Sequence, residues 1–158
     1  TGAHIFLYKV QDPQRYGVAE IKNDKIISIV EKPKIPQSSL AVTGLYIYDK
    51  DVVKYANTLV PSKRNELEIT DLNNIYLNKN NIKFSILERG SVWLDAGTPS
   101  SLLQASEYVK TIQERQQIQI SAPEEIAYKN NWINKEQLKG LSSFDYQNFY
   151  GENLRSLI

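Results

Sequence analysis

The sequence predicts a mixed α/β fold, a mixed sheet followed by a helical tail. Two patterns carry that expectation: alternating β-branched and aromatic runs fill the first half, and apolar residues spaced three and four apart fill the last third. Size and composition agree, because 158 residues with 41% hydrophobic content can bury a real core.

The elements follow in order. Residues 3–10 (AHIFLYKV) read as a strand that stops at the turn signal Asp12-Pro13. Residues 18–22 alternate, Asn23-Asp24 makes a hairpin turn, and residues 25–31 (KIISIVE) return. Residues 32–39 form a loop held by Pro33 and Pro36. Residues 40–48 make a long strand interrupted by Gly44, which marks either a bulge or a close ligand approach. A helix is expected over 51–59 on Val52, Val53, Ala56 and Leu59, closed by Pro61. A second is expected over 68–78, with Ile69, Leu72, Ile75 and Tyr76 on one face and its start capped by Thr70 or nearby acidic residues. Residues 82–87 alternate as a strand, and 92–94 read as a short buried strand ending at Asp95. Thr98 is the N-cap, and Pro99 the first position, of a helix over 100–116 striped by Leu102, Ala105, Val109 and Ile112. Pro123 opens a short helix whose Glu124 and Glu125 suit its positive end, and helices over 134–141 and 147–157 complete the tail.

Several function classes are excluded or disfavoured. Nineteen basic against eighteen acidic residues leave a net charge of +1, so no nucleic-acid partner is expected. No Cys is present, which removes disulfides, thiolate metal sites and a Cys nucleophile, and fits a cytoplasmic address. A single His, His4, makes His-based metal clusters and a Ser-His-Asp triad poor expectations; it reads as a core or surface residue. No run approaches the roughly 20 apolar residues of a membrane span, and no charged leader or cleavage site opens the chain. The chain also lacks Met, as expected for part of a longer protein. None of the seven Gly forms a G-x-G-x-x-G or P-loop, so any nucleotide phosphate cradle lies elsewhere.

The candidate chemistry lies at strand ends and turns. Asp95 follows an expected strand, where α/β sheets place functional groups; it is either an Mg²⁺-compatible carboxylate or a turn residue bonding backbone N–H groups. Glu31-Lys32-Pro33 delivers an acid for sugar hydroxyls and a base for phosphate, or else a solvated pair. Arg64 offers a phosphate-matching fork ahead of a helix, or simply a charged entry loop. Tyr16-Gly17 presents a ring and a bare backbone N–H, and Trp93 a larger ring; each is also compatible with plain packing.

The order of these signals resembles the sugar-nucleotidyltransferase family. The segments are Asp12-Pro13-Gln14-Arg15-Tyr16-Gly17-Val18, Glu31-Lys32-Pro33-Lys34, Ala41-Val42-Thr43-Gly44-Leu45-Tyr46, Glu66-Leu67-Glu68-Ile69-Thr70-Asp71 and Trp93-Leu94-Asp95-Ala96-Gly97-Thr98. The tail, with Gln113-Glu114-Arg115-Gln116, Pro123-Glu124-Glu125-Ile126-Ala127 and Tyr150-Gly151, narrows the resemblance to the thymidylyltransferase branch.

The resemblance implies the C-terminal part of a Rossmann-like nucleotidyltransferase fold. Residues 1–98 would form its sugar-binding half and 99–158 an assembly and regulatory helical region. It implies that dTTP and glucose 1-phosphate combine into dTDP-glucose and pyrophosphate with Mg²⁺, in a homotetramer, supplying dTDP-rhamnose and related deoxysugars. Asp95 would be a metal ligand, Lys32 and Arg64 would grip the sugar phosphate, and Tyr16, Gly17 and Glu31 would hold sugar hydroxyls. Val42, Gly44, Tyr46 and Trp93 would line the sugar pocket, while Arg89, Glu125, Ile126 and Lys129 would belong to a regulatory nucleotide site. This chain departs from the family at Asn65 (usually Gly), Ala96 (usually Thr) and Lys129 (often Arg). The family's phosphate loop, its catalytic Lys and another metal Asp would precede Thr1, so the isolated chain is expected to be inactive and aggregation-prone. Two readings compete: a non-catalytic fragment keeping assembly or regulatory surfaces, and a related nucleotidyltransferase using another sugar or base.

Overall fold

Alternation along the first half becomes five strands: β1 (Ala3–Lys9), β2 (Gly17–Lys22), β3 (Lys25–Glu31), β4 (Leu40–Tyr48) and β5 (Ile82–Ile86). The computed structural model describes residues 1–143 and 149–158. The strands form one sheet in the order β3-β2-β4-β1-β5, with β1 and β5 parallel and the remaining neighbours antiparallel. Asn23 and Asp24 adopt φ of 50° and 56°, the left-handed pair a two-residue hairpin requires, and set Lys22 against Lys25. One face of β1, β2, β3 and β4 supplies the core residues Ile5, Leu7, Ala19, Ile29 and Val42.

Helix α1 (Val52–Ala56) is a single turn, shorter than expected over 51–59. The Thr58 hydroxyl donates to the Tyr55 carbonyl at 2.7 Å, a side-chain bond that competes with continued helix, and Val53 is exposed. Helix α2 (Ile69–Asn78) packs on the sheet through Leu72 and Tyr76, joined by Ala3 of β1. Its buried face runs Thr70, Leu72, Asn73 and Tyr76, so the expected face is corrected: Ile69 is exposed and Thr70 takes the inward place.

The expected strand at 92–94 does not form. Gly90 turns the chain at φ +99°, only an isolated bridge joins Arg89 and Ser91, and Val92 and Leu94 are exposed. Trp93 is held by rings instead of a backbone ladder. Its centroid lies 5.0 Å from Tyr16 and 6.0 Å from Tyr8. His4 contacts Ser85 Oγ at 2.9 Å on the neighbouring strand, the structural role its surroundings favoured.

Two compact units result, Thr1–Trp93 and Leu94–Ile158. The second is helical: α3 (Pro99–Gln116), α4 (Pro123–Lys129), α5 (Lys135–Ser143) and α6 (Phe149–Ser156). Thr98 caps α3 as expected. Its Oγ1 accepts from Ser101 N at 3.1 Å, while Ser101 Oγ accepts from Thr98 N at 3.0 Å, a reciprocal capping box. On the expected α3 stripe Ala105, Val109 and Ile112 are half-buried, but Leu102 is exposed and no α3 residue is fully buried. Asn134 and Gln137 cap α5 reciprocally at 2.9 Å each way. Leu138 and Leu154 are fully buried, and Arg155 donates from α6 to the Ser142 carbonyl at 2.8 Å. The expected start of the last helix at residue 147 lies outside the described residues. Among those residues, no helix is long and apolar enough to cross a membrane.

Candidate functional site

The site grows from the β2–β3 ladder, where Gly17 stands opposite Glu31 at the end of β3. Thr70, near the start of α2, donates its hydroxyl to Glu31 Oε2 at 2.6 Å. A Cβ on Gly17 would lie 3.0 Å from Thr70 Oγ1 and 3.2 Å from Glu31 Oε2. The bare glycine therefore lets the carboxylate and hydroxyl meet over the strand. Val42 borders the same space, 3.9 Å from that Cβ position. Thr70 is not the helix cap. Glu68 holds the cap position without a side-chain capping bond, and Thr70 instead spends its hydroxyl on Glu31.

Arg64 enters from the loop ahead of α2. Asn65 takes φ +59°, the left-handed region that glycine adopts freely and Asn tolerates well. The loop closes on itself: Ser62 N donates to Glu66 O at 2.8 Å, and Asn65 N to Ser62 O at 2.9 Å. Arg64 faces three carboxylates. Its Nε lies 3.2 Å from Glu68 Oε1, Nη1 lies 4.0 Å from Glu31 Oε1, and Nη2 donates to Glu66. The hydrogen bond to Glu66, with the charges of Glu66, Glu68 and Glu31, holds the guanidinium pKa above its ordinary value, against the opposing effect of desolvation. Glu68 is buried and accepts a hydrogen bond from Ser62 Oγ at 2.7 Å.

An aromatic wall adjoins Gly17. Trp93 meets Tyr16 edge-on, and the Arg15 guanidinium lies 5.3 Å from the Tyr16 ring centre. Lys32 turns left-handed at φ +43° as β3 ends, and its N–H donates to Tyr16 O at 3.0 Å. Tyr46 stacks on Tyr48 at 5.8 Å. Burial first, then the charge of Glu31, push the Tyr46 phenol pKa up, since both disfavour a phenolate. Gly44 lies in a bulge, where the β1–β4 pairing jumps from Ile5–Tyr46 to Leu7–Val42. Nothing lies within 4 Å of a Cβ built on Gly44, so the bulge also leaves the backbone open to approach.

Contacts thus link Tyr16, Gly17, Glu31, Lys32, Val42, Arg64 and Trp93 within the first unit, with Tyr46 packed against the cluster that contains Val42. Asp95 belongs to the second unit, where its Oδ1 accepts from Gly97 N at 3.2 Å. A hard carboxylate fits Mg²⁺, which takes one or two carboxylates and completes its shell with water and substrate phosphate. Among the described residues no group of three or more His, Asp or Glu could hold a metal by itself. Arg89 is exposed in the first unit. Glu125, Ile126 and Lys129 lie on α4, where Lys129 Nζ pairs with Glu125 and Ile126 is exposed. The sequence reading missed Thr70 as the partner of Glu31, and Glu66 and Glu68 as partners of Arg64. Neither was readable: Arg64 and Glu68 meet in the loop ahead of α2, where four-residue spacing implies no contact, and Thr70 and Glu31 lie 39 residues apart in sequence.

The profile of the nucleotidyl transferase family matches residues 1–112. The chain belongs to that family. Among curated relatives, the glucose-1-phosphate thymidylyltransferase of Xanthomonas campestris is 50% identical over 157 residues, covering 99% of this chain and 53% of the relative. The enzyme of the same name from Neisseria meningitidis is 46% identical over 158 residues, covering 99% and 55%. The chain spans about half the length of the curated relatives it matches. A Bacillus anthracis crystal structure described as a glucose-1-phosphate thymidylyltransferase, in complex with sucrose, gives a TM-score of 0.61 at 50% identity, over 68% of this chain and 43% of that one. A UDP-glucose pyrophosphorylase structure with UDP-glucose gives 0.55 at 24% identity over 70% and 44%, a likeness of fold alone. The mixed α/β nucleotidyltransferase architecture expected from the sequence is therefore the one observed.

Proposed function

We propose that this chain supplies the sugar-phosphate half of a glucose-1-phosphate thymidylyltransferase active site. The reaction joins dTTP and glucose 1-phosphate into dTDP-glucose and pyrophosphate. The observation that carries the reading is the closed Gly17–Glu31–Thr70 arrangement with Arg64 at its edge. Glu31 accepts hydrogen bonds from sugar hydroxyls, with Thr70 orienting its carboxylate. The Gly17 backbone, Val42, Gly44, Tyr46, Tyr16 and Trp93 shape the pocket. Arg64 and Lys32 hold the sugar phosphate so that its oxygen attacks the α-phosphorus of dTTP in line as pyrophosphate leaves. That is catalysis by positioning and electrostatics. Asp95 would hold Mg²⁺ together with phosphate oxygens, and the ion would supply charge neutralisation on the phosphates.

The Arg89, Glu125, Ile126 and Lys129 set is proposed to serve a regulatory nucleotide site in a homotetramer, and the product to feed dTDP-rhamnose formation in the cytoplasm. The test is pyrophosphate release by the complete polypeptide carrying this chain, given dTTP, glucose 1-phosphate and Mg²⁺. Asp95→Asn should abolish Mg²⁺-dependent turnover; unchanged activity would remove Asp95 from the metal role. A preference for UTP or another sugar phosphate would move the reading to a sister activity.

A further inference from the structure

Arg64 already has its anionic partners before any substrate arrives, and those partners are not equivalent. Glu68 has 10% side-chain exposure and is tied to Ser62, so it is a fixed support. Glu66 has 58% side-chain exposure and reaches Arg64 across a two-residue step. The left-handed Asn65 turns the chain so that Arg64 and Glu66 can meet, and the Ser62 N–Glu66 O bond of 2.8 Å pins the Glu66 backbone while leaving its side chain exposed.

We propose that Glu66 is a displaceable counter-ion that competes with the phosphoryl group of the ligand for Arg64, while Glu68 is the permanent positioning residue. The proposal rests on reading Arg64 as a phosphate-holding residue. An incoming phosphate takes the Nη edge that Glu66 occupies, and Glu66 swings into solvent. The Nε edge stays on Glu68, so the guanidinium keeps its orientation. Glu66 thus weakens the grip on any lone anion, and a ligand with further contacts to Glu31 and the pocket gains the advantage. Exposed ion pairs are individually weak, so removing the competitor should tighten phosphate binding by no more than roughly fivefold.

The experiment follows the Arg64 Nε–Hε resonance by NMR while the complete polypeptide carrying this chain is titrated with inorganic phosphate, and separately with glucose 1-phosphate. Glu66→Gln and Glu66→Ala should both tighten inorganic phosphate severalfold while the melting temperature falls by no more than a few degrees. Glu68→Gln should weaken it and broaden the resonance. Equal or weaker phosphate binding in both Glu66 variants overturns the proposal, as does an Arg64 signal that phosphate never moves. If phosphate behaves as expected but glucose 1-phosphate binds no tighter than phosphate, the counter-ion role stands and the sugar-site reading falls.

Discussion

The two units are stabilised in different ways. In Thr1–Trp93 the decisive contacts join residues far apart in sequence: Glu31 with Thr70, Trp93 with Tyr8 and Tyr16, Ala3 with Tyr76. In Leu94–Ile158 many are local, such as the Thr98–Ser101 box and the Asn134–Gln137 cap, and the 18-residue α3 has no fully buried residue. A unit built on distant pairs can hold a side chain at a chosen point, because register and packing fix it from several directions. A unit built on caps and helical turns holds its shape but fixes fewer side chains.

The contrast should be broken most sharply in the sheet core. Leu7→Ala removes a fully buried side chain and should destabilise the first unit by about 2–5 kcal/mol. Hydrogen exchange should show β1, β4 and β5 opening together; protection lost equally in α5 and α6 would mean that the two units share one cooperative core.

Next comes Thr70→Val, which strips the hydroxyl from the Glu31 carboxylate. Hydrogen bonds to charged groups contribute about 1.5–3 kcal/mol, and the cost should appear in denaturant unfolding together with weaker glucose 1-phosphate binding. Unchanged binding would reduce the Glu31–Thr70 pair to a structural one. In the second unit, Thr98→Ala should cost about 1 kcal/mol and fray only the first turn of α3. Faster exchange confined to the amides near Ser101 and Leu102 would sharpen the distinction between local and distant stabilisation.

A smaller, pH-dependent effect belongs to Asp49. The Gly2 backbone N–H at 2.6 Å above all, opposed by desolvation and helped by the Tyr76 hydroxyl at 2.9 Å and the Asp51 N–H at 3.1 Å, holds its carboxyl below the usual carboxylate range. A lowered folded-state pKa stabilises above the unfolded value, near 3.9, and that stability fades as pH falls through the folded value. Asp49→Asn should therefore flatten the fall in melting temperature between about pH 5 and pH 2. A slope equal to that of the parent chain would show that Asp49 does not contribute to acid unfolding.

Much of the chain was legible because its signals are local. The Asn23-Asp24 turn, the strands over 25–31 and 40–48, and the Thr98-Pro99 helix start need only alternation, turn chemistry and a cap. Residues 92–94 misled for the same reason: an apolar triplet looks like a strand, but a strand needs a neighbour to bond, and here Trp93 found aromatic rings instead. Of the caps expected for α2, Thr70 or a nearby acidic residue, acidic Glu68 takes the position, and only the approach of β3 gives the Thr70 hydroxyl a charged acceptor.

The sequence by itself determined most of the element types, the family through its ordered motifs, and the residue kinds suited to sugar and phosphate. Those depend on side-chain chemistry and short-range spacing. Only the tertiary structure decided that Gly17 must be bare, that Thr70 serves Glu31, and that Arg64 divides its fork between a buried Glu68 and an exposed Glu66. Those depend on which strand lies opposite which and where α2 meets the sheet, relations that exist only once distant segments have packed.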